Sequence, residues 1–196
     1  QLALAIKKCE KKLLPTGTAA GAQVVGKCWL SGIERDHEPI KLEKLPKFIV
    51  SGTATNITAE QIAKLENSDD YNDINFIALE TSDILDGVDN DIVERIVTNL
   101  RSGVTVTVHT SHLIANFDGF SDDSFNAELT KDKLASMITD YLAELTKRVL
   151  AQINVILITL GGETSYKCCK AINTNELRLM DEVAPAISLC SDENGR

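Results

Sequence analysis

Apolar and polar positions along the chain change their period several times, and each change marks an element. Leu2, Ala5, Ile6, Cys9 and Leu13 recur close to a 3.6-residue period, which predicts a helix over Gln1–Leu13. Pro15-Thr16-Gly17-Thr18-Ala19-Ala20-Gly21 reads as a strand end turning into a helix. Gly32–Lys47 is polar, contains Pro39 and Pro46, and reads as a linker. Phe48-Ile49-Val50 is a short apolar run that predicts a buried strand, ending in the small residues Ser51-Gly52-Thr53-Ala54-Thr55. Thr58 with Gln61 three residues later has the spacing of a capping box and predicts a helix start there.

The pattern stays regular further on. Ile74–Leu79 predicts a strand, and Asn90–Leu100 a helix with Ile92, Ile96, Val97 and Leu100 on one side, stopped by Arg101-Ser102-Gly103. Val104–Val108 alternates β-branched residues and predicts a strand. Asn116–Leu129 is an Asp/Ser/Asn-rich loop, and Thr130–Gln152 a long helix carrying Leu134, Ile138, Tyr141, Leu142, Leu145 and Val149. Ile153–Leu160 is the most apolar strand; Gly161 and Gly162 break it, a helix follows over Thr164–Ile172, and Leu177–Val183 predicts a last strand. Alternating strands and helices imply an α/β fold of Rossmann-like type, a mostly parallel sheet with helices on both faces. Ligands on such sheets sit beyond the carboxyl ends of the strands. Two strand ends are rich in small residues, Ser51–Thr55 and Gly161–Ser165.

The turn at Gly161-Gly162-Glu163-Thr164-Ser165 has chemistry suited to an anion. Glycines permit positive φ and close approach of a ligand to the backbone. A helix start offers free N–H groups and a partial positive charge, which suits phosphate. Thr164 and Ser165 could add hydroxyl donors, while Glu163 could act through Mg²⁺ or cap the helix. The plainer reading is a tight turn between strand and helix. No Gly-Lys-Ser/Thr follows, so this is not a Walker A loop, and the dinucleotide G-x-G-x-x-G spacing is missing. Ser51–Thr58 could line an adenosine or phosphate pocket, or simply form a capped helix start.

Composition narrows the partners. The chain has 196 residues, 43% apolar and 25% charged, with a net charge of −9, which disfavours a nucleic-acid role. No apolar run approaches the roughly 18 residues that cross a bilayer, so no membrane partner is expected. Cys9, Cys28, Cys168, Cys169 and Cys190 match no zinc or redox spacing and read as reduced thiols of a cytoplasmic protein. His109 and His112 could suggest a metal site with Asp118, but a His-x-x-His at a strand end is weak, and no metal ligands are assigned. Ser111 beside His112 lacks a nucleophile elbow. Lys7, Lys8, Lys11 and Lys12 form one polar helix face, and Trp29 is expected to be packed.

Taken in order, the motifs resemble the four-carbon acid sugar kinase family. Gly52-Thr53-Ala54-Thr55-Asn56-Ile57-Thr58-Ala59-Glu60-Gln61 is similar to the family's G-S/T-x-S/T-x-x-T-x-x-Q, and Gly161-Gly162-Glu163-Thr164-Ser165 to its G-G-E/D-T-S/A. Asp181–Ile187 resembles its G-E-V/I-x-P-G-I/V-P stretch, with Ala186 in place of a glycine, and Gly17–Gly21 resembles the stretch that precedes the domain. The resemblance implies a nucleotide-binding domain over residues 47–196, ending short of the family's final glycine-rich loop. Residues 1–46 would be an arm and linker leading from a missing N-terminal domain that supplies the sugar site and the D-D-x-T-G-A motif. It implies ATP, with Mg²⁺, bound at Gly52, Thr53, Thr55, Gly161, Gly162, Glu163 and Thr164, and no catalytic residue in this chain. The parent would phosphorylate an acid sugar such as threonate or erythronate, and could be a homodimer. The rival reading is a non-catalytic nucleotide-sensing or interaction module derived from such a kinase.

Overall fold

The computed structural model describes residues 2–11, 13, 14, 16, 19–30, 44–52, 55–68, 73–111, 113, 130–184, 187–193 and 195. It divides into two compact units, one formed by Leu42–Leu177 with Asp192–Arg196, the other by Gln1–Lys41 with Arg178–Ser191.

The larger unit is built on four parallel strands: β1 (Lys47–Ser51), β2 (Ile74–Ala78), β3 (Thr105–His109) and β4 (Ile156–Leu160), in the order β2-β3-β1-β4. Between them run α3 (Asn56–Glu66), α4 (Thr81–Asp86), α5 (Asn90–Arg101) and α6 (Lys131–Leu150), and α7 (Gly162–Ala171) follows β4. Strand order fixes where the helices go. The step from β1 to β2 runs one way along the sheet, while β2 to β3 and β3 to β4 run the other way. Right-handed crossovers then put α3 on one face and α4, α5 and α6 on the opposite face. Burial agrees. Phe48, Val50, Val106, Val108 and Ile77 form one core with residues of α4, α5, α6 and α7, whereas the buried Ile62 of α3 lies outside that cluster. The fold is α/β with a parallel sheet flanked by helices.

Local chemistry sets the ends of these helices. Asp89 caps α5 by accepting from the Ile92 N–H at 2.7 Å, and Thr130 caps α6 by accepting from the Lys133 N–H at 3.2 Å. α4, which the apolar pattern did not mark, is a single short turn-and-a-half in which the Glu80 N–H donates to Asp83 Oδ2 at 2.7 Å. The cap of α3 is Thr55 rather than Thr58: Thr55 Oγ1 accepts from the Thr58 N–H at 3.3 Å, which puts Thr58 inside the helix. The Thr58/Gln61 spacing is therefore not the start of the helix. Arg148 of α6 donates to Val88 O and Asn90 Oδ1, tying α6 to the segment between α4 and α5. The chain leaves this unit after Leu177 and returns at Asp192, where Thr174 Oγ1 donates to Asp192 Oδ2 at 3.3 Å. Beside it the Asn175 N–H donates to Glu193 Oε1 at 3.2 Å.

The smaller unit holds α1 (Leu2–Lys7), α2 (Ala19–Trp29) and a two-stranded sheet of β5 (Leu177–Ala184) and β6 (Ile187–Asp192). α1 ends at Lys7 instead of reaching Leu13, so Lys8 and Lys11 lie past its end and share no helix face. Lys7 Nζ donates to Cys28 O at 3.2 Å. α2 begins at Ala19, and no strand precedes it among the described residues. Trp29, expected to be packed, is 42% exposed. The strand expected near Leu177 exists, but it pairs with β6 and not with the parallel sheet. The expected linker over 32–47 and loop over 116–129 lie mainly or wholly outside the described residues. The cysteines are all free thiols. No described helix is long and apolar enough to cross a membrane.

Two predictions follow from the core. Leu145 of α6 is fully buried in the cluster, so Leu145→Ala is expected to cost about 2–5 kcal/mol of stability. Urea unfolding reads this as a lower midpoint at unchanged slope. Burial raises the Tyr141 phenol to about 12, helped by the nearby carboxylates Asp83 and Asp89. The unfolded chain ionises near pH 10, so the stabilisation is complete below that pH and is lost as pH climbs towards 12. Tyr141→Phe is expected to flatten the alkaline fall in thermal midpoint; an equally steep fall in the variant refutes this.

Candidate nucleotide-binding site

Register brings the two small-residue turns together. Ser51 pairs with His109 of β3 on one side and with Leu160 of β4 on the other, so the carboxyl ends of β3, β1 and β4 lie in one row. β1 and β4 are neighbours, yet the chain leaves them in opposite directions. From β1 it goes to α3 on one face, and from β4 to α7, which packs on α6 at the other face. Such a switch point leaves a crevice beyond the strand ends, where open α/β sheets take their ligands.

The turn after β4 is shaped by Gly161. It caps α7 with φ 105° and ψ 133°, a conformation costly for any residue with a Cβ. The helix starts two positions before the expected Thr164, at Gly162. The first bond inside the helix runs from the Ser165 N–H to Gly161 O at 2.9 Å. The N–H groups of Gly162, Glu163 and Thr164 therefore precede the helical ladder and point out of its start, where an anion is best held. A Cβ built on Gly162 would meet no described atom within 4 Å.

Gly52 faces the opposite situation. A Cβ there would lie 2.7 Å from Thr164 Oγ1 and 2.9 Å from Leu142 Cδ1. The exit of β1 thus presses directly against the first turn of α7, and only a hydrogen fits between them. The two motifs that the sequence placed far apart are in contact through this pair.

The hydroxyls expected at the site have other duties. Thr164 is buried at 1% exposure against Gly52. Ser165 Oγ donates to Gly161 O at 2.8 Å and meets Thr159 Oγ1 at 2.8 Å, bracing strand to helix. Thr55 Oγ1 caps α3 and lies 3.0 Å from Thr58 Oγ1. What these residues leave for a ligand is backbone N–H, a feature no side-chain motif reveals. Thr53 lies outside the described residues. Glu163 is exposed in the first turn of α7. The nearest cation on that helix, Lys167, is committed to α6, 2.7 Å from Asp140 Oδ1 and 3.2 Å from Ser136 Oγ.

At the end of β3, His109 is buried, with Nδ1 2.8 Å from Ser111 Oγ. His112 and Asp118 lie outside the described residues, and no group of three or more His, Cys, Asp or Glu side chains gathers to hold a metal among the described ones.

Residues 48–196 match the family described as the nucleotide-binding C-terminal domain. No curated protein matches. Among solved structures, the chain is similar to Haemophilus influenzae protein HI1011 of the DUF1537 family, with 18% identity and a TM-score of 0.66 over 97% of this chain and 43% of that one. It is also similar to a DUF1537 domain of unknown function from Bordetella bronchiseptica, described as a domain-swapped dimer with bound citrate. That likeness has 16% identity and a TM-score of 0.50, over 77% of this chain and 34% of that one. At these identities the likeness concerns the fold. The chain spans less than half the length of either protein.

The Gly52 contact makes a prediction. Gly52→Ala is expected to destabilise by about 1–3 kcal/mol through overpacking. Adding Thr164→Ala removes the tightest clash, so the double variant should lose less than the sum of the singles in a denaturation cycle; strict additivity would count against the contact.

Proposed function

The chain belongs to the family of nucleotide-binding C-terminal domains, and on that footing we propose that it is the ATP-binding domain of a kinase acting on four-carbon acid sugars such as threonate or erythronate. The observation that carries this reading is the start of α7: the outward N–H groups of Gly162, Glu163 and Thr164, beside the exit of β1. Those groups would hold the terminal phosphates, with Gly52 and Gly161 allowing the backbone to come close. Thr53 and Thr55 follow β1 in the sequence and would border the nucleotide.

Mg²⁺ fits the same arrangement. It binds through one or two carboxylates plus phosphate oxygens and water, so the exposed Glu163 suffices as the protein's share. The ion would shield the Glu163 charge from the polyphosphate. Phosphoryl transfer relies on positioning and charge stabilisation. This chain's residues supply the grip on the donor. The acceptor site and the base that takes the acceptor's proton would lie elsewhere in a longer parent, and the free thiols favour a cytoplasmic one. The Bordetella protein's dimer favours a parent that also pairs with itself.

The test uses Mg-ATP and the thermal midpoint of the full chain. Mg-ATP is expected to raise the midpoint, and removing the metal with a chelator should weaken the effect. Gly162→Leu, whose Cβ meets no described atom within 4 Å, should change the stability of the unliganded chain by no more than about 0.5 kcal/mol and abolish the response to ATP. An undiminished response in Gly162→Leu would remove the assignment.

A further inference from the structure

β4 combines the sequence of an inner strand with the position of an outer one. Ile156-Leu157-Ile158-Thr159-Leu160 carries no charge, proline or glycine, the kind of run found in parallel strands covered on both faces. Yet it stands at the end of the order β2-β3-β1-β4. None of its five residues is buried, against four of the five in β3, so β4 lacks the cover that its sequence suits. Proteins normally blunt an edge with charge, proline or a bulge, because an open ladder invites pairing. β4 has none of these and pairs with β1 in unbroken register. The Ile156 N–H donates to Pro46 O at 2.9 Å, so Ile156 and Ile158 turn their backbone groups towards β1. Alternate residues of a parallel ladder face the other way. The N–H and C=O of Leu157 and Thr159 therefore point outward, to a side where no described strand lies.

The path of the chain says what belongs on that side. α6 joins β3 to β4 by a right-handed crossover, a step along the sheet in the direction from β2 to β4. α7 leaves β4 at Gly161 and packs on α6, so it lies on the same face. A parallel strand reached from β4 through α7 keeps the same hand only by stepping further in that direction, to the outer side of β4. Helix rise gives α7 a length of about 15 Å, close to the roughly 17 Å of a five-residue strand, so its end is level with the start of β4. There Thr174 Oγ1 donates to Asp192 Oδ2, and the Asn175 N–H to Glu193 Oε1. The excursion through β5 and β6 thus returns the chain to the foot of β4 with the crossover still to be completed. We propose that polypeptide following Arg196 forms a fifth parallel strand on the outer edge of β4. Its carboxyl end joins the row formed by β3, β1 and β4, next to Gly161, and walls the crevice on its outer side.

The test is amide hydrogen exchange, followed by NMR, on the protein expressed from its whole gene and on Gln1–Arg196. In Gln1–Arg196 the amides of Leu157 and Thr159 should exchange at least about tenfold faster than those of Ile156 and Ile158, the alternation of an open edge. In the whole-gene protein all four should be equally slow. Leu157 and Thr159 should there show cross-strand contacts, in parallel register, to residues later than Arg196. The measurement on the whole-gene protein decides the matter by itself if the shorter chain does not fold. Alternation that persists in the whole-gene protein overturns the proposal, as does a reading frame that stops at Arg196. Contacts in antiparallel register overturn it too. Protection that disappears on dilution, together with a halving of the mass in solution, assigns the edge to a second copy and equally overturns it.

Discussion

The contact between Gly52 and Thr164 is the constraint on which the rest of the site depends. It joins the exit of one strand to the start of a helix that lies more than a hundred residues later in the chain. Because only hydrogen fits there, the backbone of β1 can reach the edge of α7. Close packing resists small increases in volume, so this junction holds the helix start at a fixed height above the sheet.

α6 is the shared backing for that junction. Leu142 and Ile138 lie under Gly52, while Thr146 Oγ1 meets the buried Cys168 Sγ of α7 at 3.4 Å. Burial drives the Cys168 thiol towards its neutral form, so it serves as packing and not as a nucleophile. Lys167 and Asp140 add a polar clasp at the rim of the same helix pair. The helix that supplies the outward N–H groups is thus fixed along its whole length by one neighbour, and its start is left for chemistry.

Much of this was legible in the sequence. The period of Leu134, Ile138, Leu142, Leu145 and Val149 marked α6, and the alternation at Val104–Val108 marked β3, because burial imposes those periods. Gly161-Gly162 after an apolar strand pointed to the helix start. Other features had no such signal. α4 is too short to show a period. Thr55 and Thr58 are both good caps, and only geometry chooses between them. The apposition of Gly52 and Thr164 depends on strand order, which is a long-range property.

The hydrogen bonds from Thr174 to Asp192 and from Asn175 to Glu193 clip together the points where the chain departs from the larger unit and rejoins it. Residues 178–191 thus form a closed excursion with fixed feet. Lengthening such a loop costs little, since closure entropy grows only with the logarithm of length. Extra residues between β5 and β6 would therefore leave the register of the parallel sheet untouched. An engineer could graft a sensor or a tether into the same excursion.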